Sequence, residues 1–323
     1  MMWDIVRRVL TICVTLFVVA AIIFAATEVL PGDVATAILG REAAPKRLAA
    51  IRQQLQLDRP ASERYWQWLG GFVQGDWGQS LARPDQAIRP LVLERLRNTF
   101  WLSLLATCIG VPLAIILGVL AGLRRNQWLD SLVSVISLIG MSLPEFVIGS
   151  LLMLVFGVML AILPAVTIVQ ADAPLTKLLP SMILPTLTLV IVMVAYILRM
   201  IRSSVIDIMQ SEYVQMAYLK GVPQRLIIWR YIVPTALLPT INAVGLTVAW
   251  LIGGVVVVET VFNFPGIGRL MTSAVSDRDL PLVQALGLIG AFIYIMINVV
   301  ADVATLWLTP RLRTQFWRPN EET

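Results

Sequence analysis

The chain contains no histidine, and only two of its 323 residues are cysteine. Cys13 and Cys108 both fall inside apolar segments, where a thiol behaves as a small hydrophobe. These absences exclude a disulfide framework, a thiolate–imidazole metal site and catalysis that depends on an imidazole. Charge is scarce too: Asp, Glu, Lys and Arg make up 14% of the residues, where soluble domains carry roughly 25%. With 58% hydrophobic residues, the chain is an integral membrane protein and not a soluble globular domain. Neither a G-x-x-x-x-G-K-[ST] motif nor any Gly-Lys pair occurs, so the chain cannot cradle a nucleotide in a P-loop, and hydrolysis would have to be supplied by another chain. Its halves show no inverted repeat, which leaves the common secondary-carrier architecture unsupported. The excess of basic residues, 25 against 20 acids, belongs to loops that hold helix orientation and does not indicate nucleic-acid binding.

What the chain does have is long apolar runs. Val9 to Thr27 follows Arg7 and Arg8 and is long enough to cross a bilayer as a helix. A signal peptide would share the basic start and the small Ala25 and Ala26, but its apolar core is shorter, roughly 7 to 15 residues, so a retained first helix is expected. Further spans are expected at Thr99 to Leu123, Ser131 to Leu163, Leu178 to Leu198, Leu237 to Val258 and Leu282 to Leu308. The fold class is therefore all-α integral membrane with six transmembrane helices. Arg124, Arg125, Arg199, Arg202, Lys220, Arg225, Arg230, Arg311 and Arg313 fall on the same side as Arg7 and Arg8, which places both termini in the cytoplasm. The charged region 30–93 then forms a small extracytoplasmic domain between helices one and two. Within it Lys46 to Leu57 has helical apolar spacing, and Tyr65, Trp66, Trp68, Phe72 and Trp77 suit interfacial anchoring, a small core or a ligand. The resulting organisation is a tail and first helix at 1–29, the extracytoplasmic domain at 30–93, a transmembrane domain at 94–309 and a cytoplasmic tail at 310–323.

Inside the transmembrane domain, Met209 to Pro239 is a polar interruption between two spans. Ser211 suits an N-cap, Glu212 and Lys220 complement the two ends of a helix dipole, and Ala217 would permit close approach to a partner surface. Gly221 ends the helix and Pro223 prevents its continuation. This is expected to be a cytoplasmic docking knob, with the core of the coupling segment at 209–236; an amphipathic helix resting on lipid is the alternative. Three acids, Glu145, Glu259 and Asp302, lie in or beside apolar spans, where a carboxylate is costly enough to suggest a cavity, a pair or a role in a pathway or gate. A proton-coupled carrier would use such acids too, while a membrane-embedded enzyme finds no support.

Five motifs in order carry a resemblance. EYVQMAYLKG at Glu212 to Gly221, with Ala217, Gly221 and Pro234 in the slots of the general coupling motif, is similar to the coupling region of bacterial ABC importer permeases of the oligopeptide, dipeptide and nickel group. LDRPASERYWQWLGGFVQGDWGQSL at Leu57 to Leu81 resembles the signature of that group. So do VLERLRNTFWLSLLA at Val92 to Ala106, SLPEFVIGSLLMLVF at Ser142 to Phe156 and ETVFNFPGIGRL at Glu259 to Leu270. Departures are Val34 after the PGD triplet, Phe264 for a frequent Trp, and Thr309 where the group has Asp. The resemblance implies the type I ABC importer fold in the bacterial inner membrane and a non-enzymatic permease. It implies a homologous second permease, two ATP-binding subunits and an extracytoplasmic binding protein as partners. No cofactor would be bound by this chain, with ATP and Mg used by the ATPase subunits. ATPase coupling would rest on Glu212, Tyr213, Ala217, Lys220, Gly221 and Pro234. Peptide is the leading cargo; glutathione, nickel chelates, opines and sugars stay open.

Overall fold

A computed structural model describes residues 2–28, 59–83 and 86–308. The Lys46 to Leu57 stretch and the tail after Leu308 lie outside the described residues. Among those described, every regular element is helical, and extended pairing is confined to an isolated antiparallel bridge between Gln79 and Ala87. In chain order the helices are α1 (Met2–Glu28), α2 (Ala61–Gln74), α3 (Ile88–Leu123), α4 (Trp128–Ser142), α5 (Glu145–Leu152), α6 (Leu175–Met209), α7 (Glu212–Leu219), α8 (Gln224–Ile227), α9 (Val233–Val261), α10 (Ile267–Ser276) and α11 (Leu280–Leu308). π-Helical segments extend α5 over Met153–Met159 and join α8 to α9 over Ile228–Ile232.

The expected spans fall on these helices. Among the described residues α1, α3, α6 and α11 are long and apolar enough to cross a membrane, and α9 is a 29-residue helix over the Leu237 to Val258 run. The expected span from Ser131 to Leu163 is broken: α4 and α5 meet at a bend of 108°. The cause is Pro144. Its ring disfavours a helical backbone at the preceding residue, and Leu143 is accordingly extended, with φ −89° and ψ 132°. Two other expected spans are longer than their apolar runs, α3 beginning at Ile88 and α6 continuing to Met209.

Two compact units are formed, Met1–Thr99 with Gln170–Asp172 and Pro265–Ile295, and Phe100–Val169 with Ala173–Phe264 and Met296–Thr323. In the first, Ile88 and Val92 of α3, Leu270 and Ala274 of α10, and Leu282, Ala285, Leu286 and Ile289 of α11 make the core. Two fully buried polar side chains stitch distant segments to it. Asp279 accepts hydrogen bonds from the Ser80 hydroxyl and from the Leu81 N–H at 3.1 Å, and it caps α11 through the Leu282 N–H at 3.4 Å. Asn98 donates through Nδ2 to the carbonyls of Ala171 and Pro265, both at 2.9 Å. A buried polar group left unpaired costs roughly 1–3 kcal/mol, so these contacts fix which loops pair.

In the second unit α6 is central, with Leu184, Leu189, Met193, Ile197, Ile201 and Val205 all buried. Gly118 and Gly122 of α3 meet Ile201 and Val205 of α6 so closely that an added Cβ would sit 2.8 Å and 2.7 Å from those side chains. Small residues at such a seam let membrane helices approach where no hydrophobic force drives them together. At its far end α9 closes in a Schellman turn: the Phe264 N–H reaches the Glu259 carbonyl at 2.8 Å, with Asn263 in the left-handed region at φ 55°. Asn263 Nδ2 then donates to the Thr167 carbonyl at 2.9 Å, holding the preceding loop against this turn.

Candidate functional site

The polar interruption forms as a distinct knob at the end of α6. That helix continues 11 residues past Leu198 to Met209, about 16 Å at 1.5 Å per residue, and carries the knob away from the apolar run. Gln210 and Ser211 turn the chain into α7 (Glu212–Leu219). The far end of α7 is a complete Schellman turn: the Val222 N–H bonds the Ala217 carbonyl at 3.2 Å and the Gly221 N–H bonds the Tyr218 carbonyl at 3.0 Å. Gly221 supplies the left-handed step, at φ 73°, which costs a Cβ-bearing residue about 1–2 kcal/mol. Pro223 follows, then α8 and the π-helical segment. Pro234 lies in the first turn of α9, directly after the π-helical segment Ile228–Ile232, and contributes no amide hydrogen to the ladder there.

Two expectations about this knob are corrected. Ser211 occupies the N-cap position but makes no cap bond, because its hydroxyl donates back to the Ile208 carbonyl at 2.5 Å and so closes the end of α6 instead. Ala217 does not face outward. It is buried beside Val214 in the same core as Ile201, Val205, Ile227, Ile232 and Ala236, so its small side chain lets α7 sit down on its own unit. What α7 presents outward is Glu212, Tyr213, Gln215, Met216, Tyr218 and Leu219, followed by Lys220 and Gly221. Leu219 is 81% exposed. The root of the knob is braced by the Ser204 hydroxyl, which donates from α6 to the Ala236 carbonyl on α9 at 3.1 Å.

Of the three acids, the structure describes the side chains of Glu145 and Glu259. Glu145 opens α5 at the break, and its carboxylate lies on α9 so tightly that a Cβ on Gly254 would sit 2.6 Å from Oε2. That oxygen is buried with no hydrogen-bond partner among the described residues. Glu259 is fully buried near the end of α9. Asp302 falls on α11, but its side chain lies outside the described residues.

One pair escaped the sequence reading. Asp130, 3% exposed in the first turn of α4, accepts two hydrogen bonds from the Arg202 guanidinium on α6, at 2.5 Å and 2.8 Å. It also accepts the Asn126 N–H at 2.9 Å and the Ser134 hydroxyl at 3.4 Å. In sequence Asp130 sits one residue before the apolar run and Arg202 reads as an orienting charge; opposite charges at matching ends of two apolar runs are the signal that links them.

A chain of bent and long apolar helices with a rooted polar knob between α6 and α9 defines a membrane permease. It belongs to the family described as binding-protein-dependent transport system inner membrane component, which matches residues 114–314, and the N-terminal component of the same systems matches residues 1–87. Among relatives, it is 35% identical to the glutathione transport system permease protein GsiC of Escherichia coli (strain K12) over 309 residues, 96% of this chain and 98% of that one. The protein of the same name from Pectobacterium atrosepticum is also 35% identical, over 95% of this chain and 98% of its own length. A solved amino acid ABC transporter shares the fold, with a TM-score of 0.52 at 18% identity over 67% of this chain and 93% of that chain. The chain is thus an inner-membrane ABC importer permease that contributes to a translocation pathway for small solutes. Such permeases work with a partner permease, an ATPase and a binding protein.

Proposed function

We propose that the chain imports small peptides of the glutathione type, and that α7 is the contact through which two ATP-binding subunits drive its helices. Both termini then lie in the cytoplasm, on the side of the knob. Tyr213, Glu212 and Lys220 touch the ATPase, while Ala217, Gly221 and Pro234 hold the knob in the shape that makes contact. The observation that carries this assignment is an eight-residue helix seated by Val214 and Ala217 on the central core, with aromatic and apolar side chains turned outward. A knob so seated moves with α6 and α9 instead of flexing alone. ATP and Mg are handled by the ATPase subunits, a homologous second permease completes the pathway, and the binding protein delivers cargo from the opposite face. ATP-driven closure of the ATPases biases a two-state equilibrium of the helices. Glu145, Glu259 and Asp302 are assigned to the gate. The 35% identity to glutathione permeases supports the cargo class.

The test is uptake of labelled glutathione and dipeptides into vesicles holding the full complex and its binding protein. Uptake should require ATP on the ATPase side and the binding protein on the other. Sustained accumulation in energised, ATP-depleted vesicles would overturn the proposal in favour of proton coupling.

A further inference from the structure

The sequence left the aromatic residues of region 30–93 divided between anchoring, core and ligand binding; α2 separates them by face. At 100° per residue, Tyr65, Trp68 and Phe72 share one face. Trp66 and Val73 share a second face about 120° round, and Glu63, Gln67 and Gln74 form a polar face roughly a further 90° on, turned away from the first. The first face lies on α1. Tyr65 contacts Phe17 and Phe24 with ring centroids 5.9 Å and 5.4 Å apart, Trp68 lies 6.0 Å from Phe24, and the Tyr65 hydroxyl donates to the Phe17 carbonyl at 3.3 Å. Phe72 stacks on Trp77 at 5.1 Å, and both pack against the core of the first unit.

These contacts set a depth. Phe17 is ten residues before Thr27, the end of the α1 span, or about 15 Å along a helix. Rings that touch it reach well into the hydrocarbon layer, although the backbone of α2 can lie nearer the surface because a Tyr or Trp side chain is long. Trp66 follows the same direction, its ring 5.8 Å from Phe17, yet it is 61% exposed and Val73 is 78% exposed. On α1, Val14, Val18 and Ile22 are exposed as well. The opposite face is polar, and Arg59 reaches along it to Gln67 at 3.4 Å.

We propose that α2 is an interfacial membrane helix, lying in the leaflet at the Thr27 end of α1 with Trp66 and Val73 against acyl chains and Glu63 and Gln67 against headgroups. The occupant of its exposed apolar face is lipid. Two features support this: Trp66 and Val73 are exposed next to a spanning helix whose own Val14 and Val18 are exposed, and the polar side of α2 is turned away from α1, about 90° round from Trp66 and Val73, so that the helix is amphipathic. The inference rests on α1 crossing the membrane. It gives the first unit a lateral anchor that holds α2 at a fixed height beside α1.

The experiment uses the full complex in nanodiscs, in a Cys13→Ser, Cys108→Ser background, with nitroxide labels placed one at a time through Trp66→Cys, Val73→Cys, Glu63→Cys and Gln67→Cys. A label through Ile22→Cys on α1 is the control. Collision with oxygen should exceed collision with a water-soluble nickel chelate at 66, 73 and 22, and the order should reverse at 63 and 67. A label at 66 or 73 that meets the chelate more than oxygen places the face in water and overturns the proposal. So does one shielded from both, which places it against protein, whether the binding protein or the second permease. If 22 also fails to collide with oxygen, it is the span assignment for α1 that falls. Positions 66 and 73 are both on the exposed face, so failure of one variant to assemble leaves the other to decide.

Discussion

Gly221 offers a perturbation whose cost can be worked from its surroundings. A Cβ added there meets nothing within 4 Å, so the penalty of Gly221→Ala is conformational alone. Holding an L-residue in the left-handed region costs about 1–2 kcal/mol, eased by up to about 1 kcal/mol because alanine also stiffens the unfolded chain. The net of about 1 kcal/mol shifts the balance between a formed and a frayed end of α7 roughly fivefold. Gly78 supplies the matched control: φ is 79° and its added Cβ also meets nothing within 4 Å, but it belongs to the first unit and the knob to the second. The two substitutions should therefore lower the thermal midpoint of the purified chain by similar small amounts. Only Gly221→Ala should reduce the solute moved per ATP hydrolysed, by several-fold, and Gly221→Asn should do less because asparagine tolerates the left-handed region. Vesicles containing the assembled transporter, assayed for uptake and phosphate release together, separate these outcomes. If Gly78→Ala uncouples as strongly as Gly221→Ala, the defect is general destabilisation and the knob has no special part in coupling.

Two other sites give compact tests. Breaking the Asp130–Arg202 pair from either side should cost about 2–4 kcal/mol, towards the lower end because the Arg202 side chain is 29% exposed. The Asp130→Asn, Arg202→Met double variant should fall well short of the sum, and additive losses in thermal unfolding would show that the two side chains are not coupled. At the break before α5, Gly254→Ala pushes a methyl group onto the Glu145 carboxylate, for an overpacking cost of about 1–2 kcal/mol. Glu145→Ala should relieve most of it, so an equal effect of Gly254→Ala in both backgrounds, measured by melting in detergent, would refute the contact.

Much of this could be read along the chain because the determining forces are local. Apolar runs long enough to cross a bilayer become helices, since no other backbone satisfies its own hydrogen bonds in hydrocarbon. The knob could be read for the same reason: Glu212, Lys220, Gly221 and Pro223 act within a single turn of the residues they govern. Pro144 was visible too, but whether a proline kinks a helix or divides it depends on what neighbouring helices do with the freed backbone groups, and here the result is a bend of 108°. Ser211 carried an N-cap signal yet turned the other way, because the Ile208 carbonyl at the end of α6 competes for its hydroxyl.

The sequence by itself determined the class: charge too sparse for a soluble domain, helical spans, a polar knob between two of them, and the order of motifs that marks the family. Tertiary structure alone decided which side of each helix does what. It put Ala217 inward and Leu219 outward, paired Asp130 with Arg202 across 72 residues, laid Glu145 on Gly254, and split the aromatic residues of α2 between α1 and the exposed face. The physical reason is range. Capping, propensity and hydropathy act over one or two turns, while burial and ion pairing depend on residues that only folding brings within a few ångströms.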